Sequence, residues 1–143
     1  VEAAAAPLLR VLEDPNVTTR RAALRTLEVL ANRHFGNGDE AVAWYDRAGR
    51  LGRLQWMYEG FSLAHVPVHG PPDVVAPELV ALIDGRDQVI AVNADALLRR
   101  MVGGPDTGNV ETPLRLHRAW ARWWQVHAKR YQWATDRSFA GGG

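Results

Sequence analysis

An all-α fold, a short α-solenoid of two helical hairpins each followed by a Trp-bearing helix and an extended tail, is predicted by three observations. Leucines and small residues recur at three- and four-residue spacing, the period of a helix with one buried stripe. Two stretches, "APLLRVLEDPNVTTRRAALRTL" from Ala6 and "APELVALIDGRDQVIAVNADAL" from Ala76, match without a gap. Behind each comes a second shared module with the same order of turn, acidic residue, tryptophan and phenylalanine.

In the first stretch a helix runs up to the Asp14-Pro15-Asn16 break and a second helix follows it; Asp84-Gly85-Arg86 divides the second stretch in the same way. Pro7 and Pro77 are expected in the first turn of a leading helix, where a missing N–H costs nothing. Asp14 and Asp84 fall where a side-chain acceptor can cap the next helix. Ala22, Ala23 and Leu27 then give that helix a thin face for close packing. The trailing modules open at Gly36-Asn37 and Gly108-Asn109 and enter helices with acid near the start, Asp39-Glu40 and Glu111, which suits the helix dipole. Trp44 answers Trp123 or Trp124, Gln55-Trp56 answers Gln132-Trp133, and Phe61 answers Phe139. The domain reading is residues 1–64, a linker over 65–73 whose prolines and glycine interrupt helix, and residues 74–143, the two halves forming one compact domain.

"LEDPNVTTRRAALRTLEVL" resembles a HEAT repeat of the PBS-lyase type found in bacterial proteins, with pattern Leu-x-Asp-Pro-x-x-x-Val-Arg-x-x-Ala-x-x-x-Leu. Thr19 stands at the valine place, Arg20 at the arginine and Ala23 at the alanine; the second copy has Val89, Ile90 and Asn93 there. The second trailing module resembles a tail seen after such repeats, a Trp-x-x-Trp-Trp helix running into an extended Tyr-x-Trp segment. The resemblance implies a helical face presented to other proteins, as in an adaptor or accessory subunit.

Composition sets limits on function. The chain has 143 residues, 47% hydrophobic and 23% charged with a formal net charge of +1, which describes one globular domain without a general polyanion-binding excess. Cysteine is absent, removing disulfides, thiol nucleophiles and thiolate metal sites. No apolar run approaches the roughly 20 residues of a membrane span, so no transmembrane segment is expected. A first residue of Val1 rather than Met fits a processed product or a fragment; cytoplasm and periplasm both stay open, with a lean to the extracytoplasmic side.

The stretch "RAWARWWQVHAKRYQW", residues 118–133, holds four of the six tryptophans. Trp120, Trp123, Trp124 and His127 fall at steps of three and four, one stripe of a helix, with Arg118, Arg122 and Lys129 largely off it. The leading reading is a cap over the second hairpin, since terminal solenoid repeats need a cover. The competing reading is a partner-binding ridge, with Trp120, Trp123, Trp124, Trp133, Arg118, Arg122 and Arg130 as candidates and Trp44 and Trp56 as their counterparts in the first half. Aromatic rings among bases also suit nucleic acid or an anionic lipid surface.

No constellation points to catalysis. His65 and His69 share the linker without a nearby carboxylate to complete a metal set, and no nucleophile elbow or phosphate-cradling loop is present. HEAT-like DNA glycosylases hold a recessed aspartate among tryptophans; Asp46 beside Trp44 is the candidate here, and the match is too loose to carry the role over. The chain is therefore read as a non-catalytic scaffold without cofactor or metal, an accessory subunit binding other proteins and possible on a membrane complex as an extrinsic subunit. A basic aromatic surface for nucleic acid or anionic lipid is the alternative.

Overall fold

The computed structural model describes residues 4–106 and 112–141, with side chains described through Tyr131. Among the described residues the regular structure is helical throughout: α1 (Ala5–Val11), α2 (Val17–Ala31), α3 (Gly38–Ala48), α4 (Arg53–Leu63), α5 (Pro72–Leu82), α6 (Gln88–Val102) and α7 (Pro113–Gly141). The chain divides into two compact units, Val1–His65 and Val66–Gly143.

Each unit opens with a hairpin, α1 on α2 and α5 on α6. The break between its helices is closed by side chains. Asn16 caps α2, its Oδ1 accepting from the Thr18 and Thr19 amides at 2.9 and 3.2 Å, and Asp87 caps α6 through the Val89 and Ile90 amides at 3.1 and 3.2 Å. Asp14 is not the cap that the sequence suggests; its carboxylate accepts from the Asn16 amide at 2.8 Å and so holds the turn that presents Asn16. Asp84 lies three residues before the second cap and faces His117 instead. Arg20 ties the first turn down, its Nη1 donating to the carbonyls of Asp14 and Pro15 at 2.8 and 3.0 Å.

The two caps lie 71 positions apart, at 16 and 87, as do the helix ends at 31 and 102. This is one more than the gapless sequence match. At a spacing of 71 the buried positions coincide: Ala5 with Ala76, Ala23 with Ala94, Leu27 with Leu98, Ala31 with Val102. Asn93 consequently does not stand at the small-residue place; Ala94 does, and Asn93 is buried with its Nδ2 donating to the Val89 carbonyl at 2.8 Å. Pro77 lies inside α5 rather than in its first turn, because α5 starts five residues before it, at Pro72. Pro72 takes the first-turn role, so helix begins within the expected 65–73 linker.

In the first unit the core joins Ala5, Leu27 and Ala31 to Phe35, Ala41, Trp44, Ala48 and Trp56. Trp44 and Trp56 meet edge to face at 5.0 Å between centroids, and Phe35 lies 5.5 Å from Trp44. The Trp56 indole N–H is satisfied inside the core by the Ala48 carbonyl at 2.7 Å. Helix α2 ends at Asn32, whose left-handed backbone (φ 56°) turns the chain and whose buried Nδ2 donates to the Met57 carbonyl at 2.8 Å. At this point α4 comes so close that a Cβ on Gly60 would stand 2.0 Å from the Asn32 carbonyl oxygen. Only glycine fits that contact.

The second unit packs α7 on α5 and buries Val75, Leu79, Ile83, Ala94, Leu97, Leu98 and Trp120. Among the described residues the segments expected as extended tails are helical: Gln55, Trp56 and Phe61 lie in α4, and α7 is helical for 29 residues to Gly141. The backbone of Trp133 belongs to α7, while its side chain and those of Gln132 and Phe139 lie outside the described side chains; Gly108, Asn109 and Glu111 lie outside the described residues.

Candidate functional site

Helix α7 carries the residues singled out in the sequence, and it sorts them by face. Trp120 is wholly buried. Its Nε1 donates to Asp95 Oδ1 at 2.7 Å, Asp95 receives Arg99 Nε on both oxygens at 3.2 Å, and the Arg99 guanidinium lies 5.4 Å over the Trp120 ring. Arg99 Nη1 also donates to the Pro105 carbonyl at 2.9 Å, fixing the chain after α6. There Gly104, at φ +105°, lets the indole in; a Cβ would stand 2.2 Å from its Cη2. His117 adds a second anchor, its Nδ1 donating to the Val80 carbonyl at 2.9 Å with Asp84 at 3.5 Å. Asp95 and Arg99, one helical turn apart on α6, were legible in the sequence only as a charge pair at i and i+4.

The other described rings of α7 flank this anchor. Trp123 meets Trp120 edge to face at 5.7 Å and stacks on His127 at 4.1 Å, while His127 Nδ1 donates to the Trp123 carbonyl at 2.8 Å. Trp124 stacks on Tyr131 at 5.7 Å, and Tyr131 donates its hydroxyl to the Val102 carbonyl at 3.2 Å. Trp123, Trp124, His127 and Tyr131 are all half-buried, so they form the margin of the α7 packing surface.

Opposite Trp120 runs a different surface. Arg115, Arg118, Arg122 and Lys129 fall at steps of three, four and seven, which is one face of a helix, and span about 21 Å at about 1.5 Å per residue. All four are exposed, as is Arg130 beside them, and none of the five forms an ion pair among the described residues. No acidic residue occurs between Arg115 and Tyr131. Val126, 70% exposed, and Leu114, 47% exposed, border the row.

In the first unit the corresponding candidates are interior. Trp44 and Trp56 are core residues, which leaves neither with a ring face for a protein partner, as burial leaves none on Trp120. Asp46, weighed for a recessed catalytic role, is exposed. Among the described residues no group of three or more His, Cys, Asp or Glu is placed to hold a metal ion, and no helix is long and apolar enough to cross a membrane. Compared with protein-family models, curated proteins and solved structures, the chain finds no match in any of the three.

Proposed function

We propose that this chain is a non-catalytic helical scaffold, an accessory subunit of a larger assembly, and that it docks an acidic protein surface on the outer face of α7. The observation that carries the reading is the exposed row Arg115, Arg118, Arg122 and Lys129, uncompensated by acid and bordered by Val126 and Leu114. A row of one sign raises the encounter rate with a surface of the other sign and fixes its register. The adjacent apolar side chains give such a contact a centre that can be desolvated, as protein interfaces require. The hairpins are proposed as HEAT-like units, whose general use is to present a helical face to partners. The apolar side of α7 is taken up by its own unit, so association with a membrane complex would run through a protein subunit and not through insertion of this helix.

The same row also favours a second reading, phosphates of a nucleic acid or of anionic lipid. Retention experiments with the full chain separate the two. The bait is the wild-type chain or the Arg118→Gln, Arg122→Gln, Lys129→Gln, Arg130→Gln variant, offered nuclease-treated soluble and detergent-solubilised membrane fractions. The expected result is a defined set of proteins held by the wild type and at least about tenfold less by the variant, because several charge contacts are lost together. Retention seen only when the nuclease is omitted, or that moves to vesicles containing phosphatidylserine, selects the second reading. Unchanged partners in the variant remove α7 as the docking face.

A further inference from the structure

The first unit holds a groove of about 480 Å³ between α3 and α4, within the roughly 300–1,000 Å³ of small-molecule sites. Trp44 and Arg47, one turn apart on α3, line it together with Leu51 from the α3–α4 turn; Glu59 and Leu63 line it from α4, and Arg33 closes it from the end of α2. Its rim is apolar on both sides, with Leu51 39% and Leu63 59% exposed. Its charge is unbalanced, because two guanidinium groups face one carboxylate. Neither Arg33 nor Arg47 forms an ion pair among the described residues.

Arg33 is the unusual member. Its Nε is enclosed without a hydrogen-bond acceptor, and its guanidinium is held 5.7 Å over the Phe35 ring. A buried N–H without an acceptor is costly, and it leaves the part-exposed outer nitrogens of Arg33 as donors without an acceptor, which an anion supplies. We infer that this groove binds a small amphiphilic monocarboxylate, its carboxylate held by Arg33 and Arg47 and its hydrocarbon laid against Leu51, Leu63 and the edge of Trp44. Guanidinium groups suit a carboxylate because their fixed N–H fork matches its two oxygens. Glu59 limits the ligand to one negative charge, since a dianion would meet its carboxylate after both arginines were satisfied. The apolar rim gains only from a ligand with a hydrocarbon body, which inorganic phosphate lacks.

The test uses the full chain labelled with 5-fluorotryptophan, which gives one fluorine resonance for each of the six tryptophans. The Trp44 signal is assigned by Trp44→Phe. Phenylacetate is the probe, with phenylacetamide as its neutral isostere. Phenylacetate is expected to shift the Trp44 resonance saturably and to leave that of Trp120 in place. Phenylacetamide is expected to bind about tenfold or more weakly, as is phenylacetate to Arg47→Gln, which alters an exposed residue and leaves the core intact. Arg33→Gln is expected to weaken binding to the same degree. A flat titration, equal binding of acid and amide, or unchanged affinity in Arg47→Gln overturns the proposal.

Discussion

The two units begin alike and finish differently. Both pair a leading helix with a longer one of 15 residues through a turn whose last residue caps the second helix. In the first unit the chain that follows is broken between Ala48 and Arg53 into α3 and α4, whereas in the second it continues through α7 for 29 residues. Gly49 and Gly52 make the difference: glycine lowers helix propensity, and Gly52 opens α4 in an extended conformation. From residue 113 to residue 140 there is no glycine to do the same. Breaking the helix lets two tryptophans of the first unit fold onto each other in one core. An unbroken helix of about 43 Å is roughly twice the length of α6, so its tryptophans are spread along an axis and Trp120 is the one wholly buried among the described side chains. A long helix keeps surface; a broken one makes core.

The sharpest way to break this comparison is to remove Trp120, the one ring wholly buried in the second unit among the described side chains. Trp120→Ala is expected to destabilise that unit by about 3–5 kcal/mol, through the lost ring and the Asp95–Arg99 pair left without its indole partner. Native-state hydrogen exchange, resolved along the chain, should show protection lost in α5 and α6 and retained in α2 and α4. A loss of under about 1 kcal/mol, as for an ordinary surface change, would mean that α7 is not anchored by Trp120.

A smaller effect compares the two close approaches. Gly60→Ala forces apart the backbones of α2 and α4 and is expected to cost about 2–3 kcal/mol in urea unfolding, despite alanine's better helix propensity. Gly104→Ala meets a side chain rather than backbone, in addition to an unfavourable φ, and is expected to cost about 1–3 kcal/mol. If Gly60→Ala proves the milder of the two, the α2–α4 contact is looser than its geometry states.

The smallest effect concerns what the units share. Asn16→Ala and Asp87→Ala each remove one side-chain cap and are expected to cost about 1 kcal/mol, nearly equally, when helix stability is followed by circular dichroism during unfolding. A large inequality would separate the hairpins that the 71-residue spacing equates.

Much of the hairpin architecture was legible because its signals are local. The apolar period and the Asp14-Pro15-Asn16 and Asp84-Gly85-Arg86 breaks act within a few residues, and the leading helix of each hairpin ends where they indicate. Register was misjudged by one residue because identity pairs such as Leu27 with Leu97 are ambiguous where Leu97 and Leu98 are both buried. The α7 surface was half legible. Helical spacing separated Trp120, Trp123 and Trp124 from Arg118, Arg122 and Lys129, yet it gives all three tryptophans one face, and the depth of each depends on a neighbouring helix. The Arg33 and Arg47 groove left no motif, because it joins the end of α2 to α3 and α4.

By itself the sequence determined that this chain is helical, where its hairpins turn, and that residues 115–130 carry bases without acid; these follow from propensity, capping and charge, all short-range properties. Only the tertiary structure decided which tryptophans are interior, which pairing of the two hairpins is in register, and that Arg33 Nε is buried without an acceptor. Burial and hydrogen-bond satisfaction are properties of surfaces brought together from distant parts of the chain, and a ring on a helix becomes core only when another helix supplies the opposite wall.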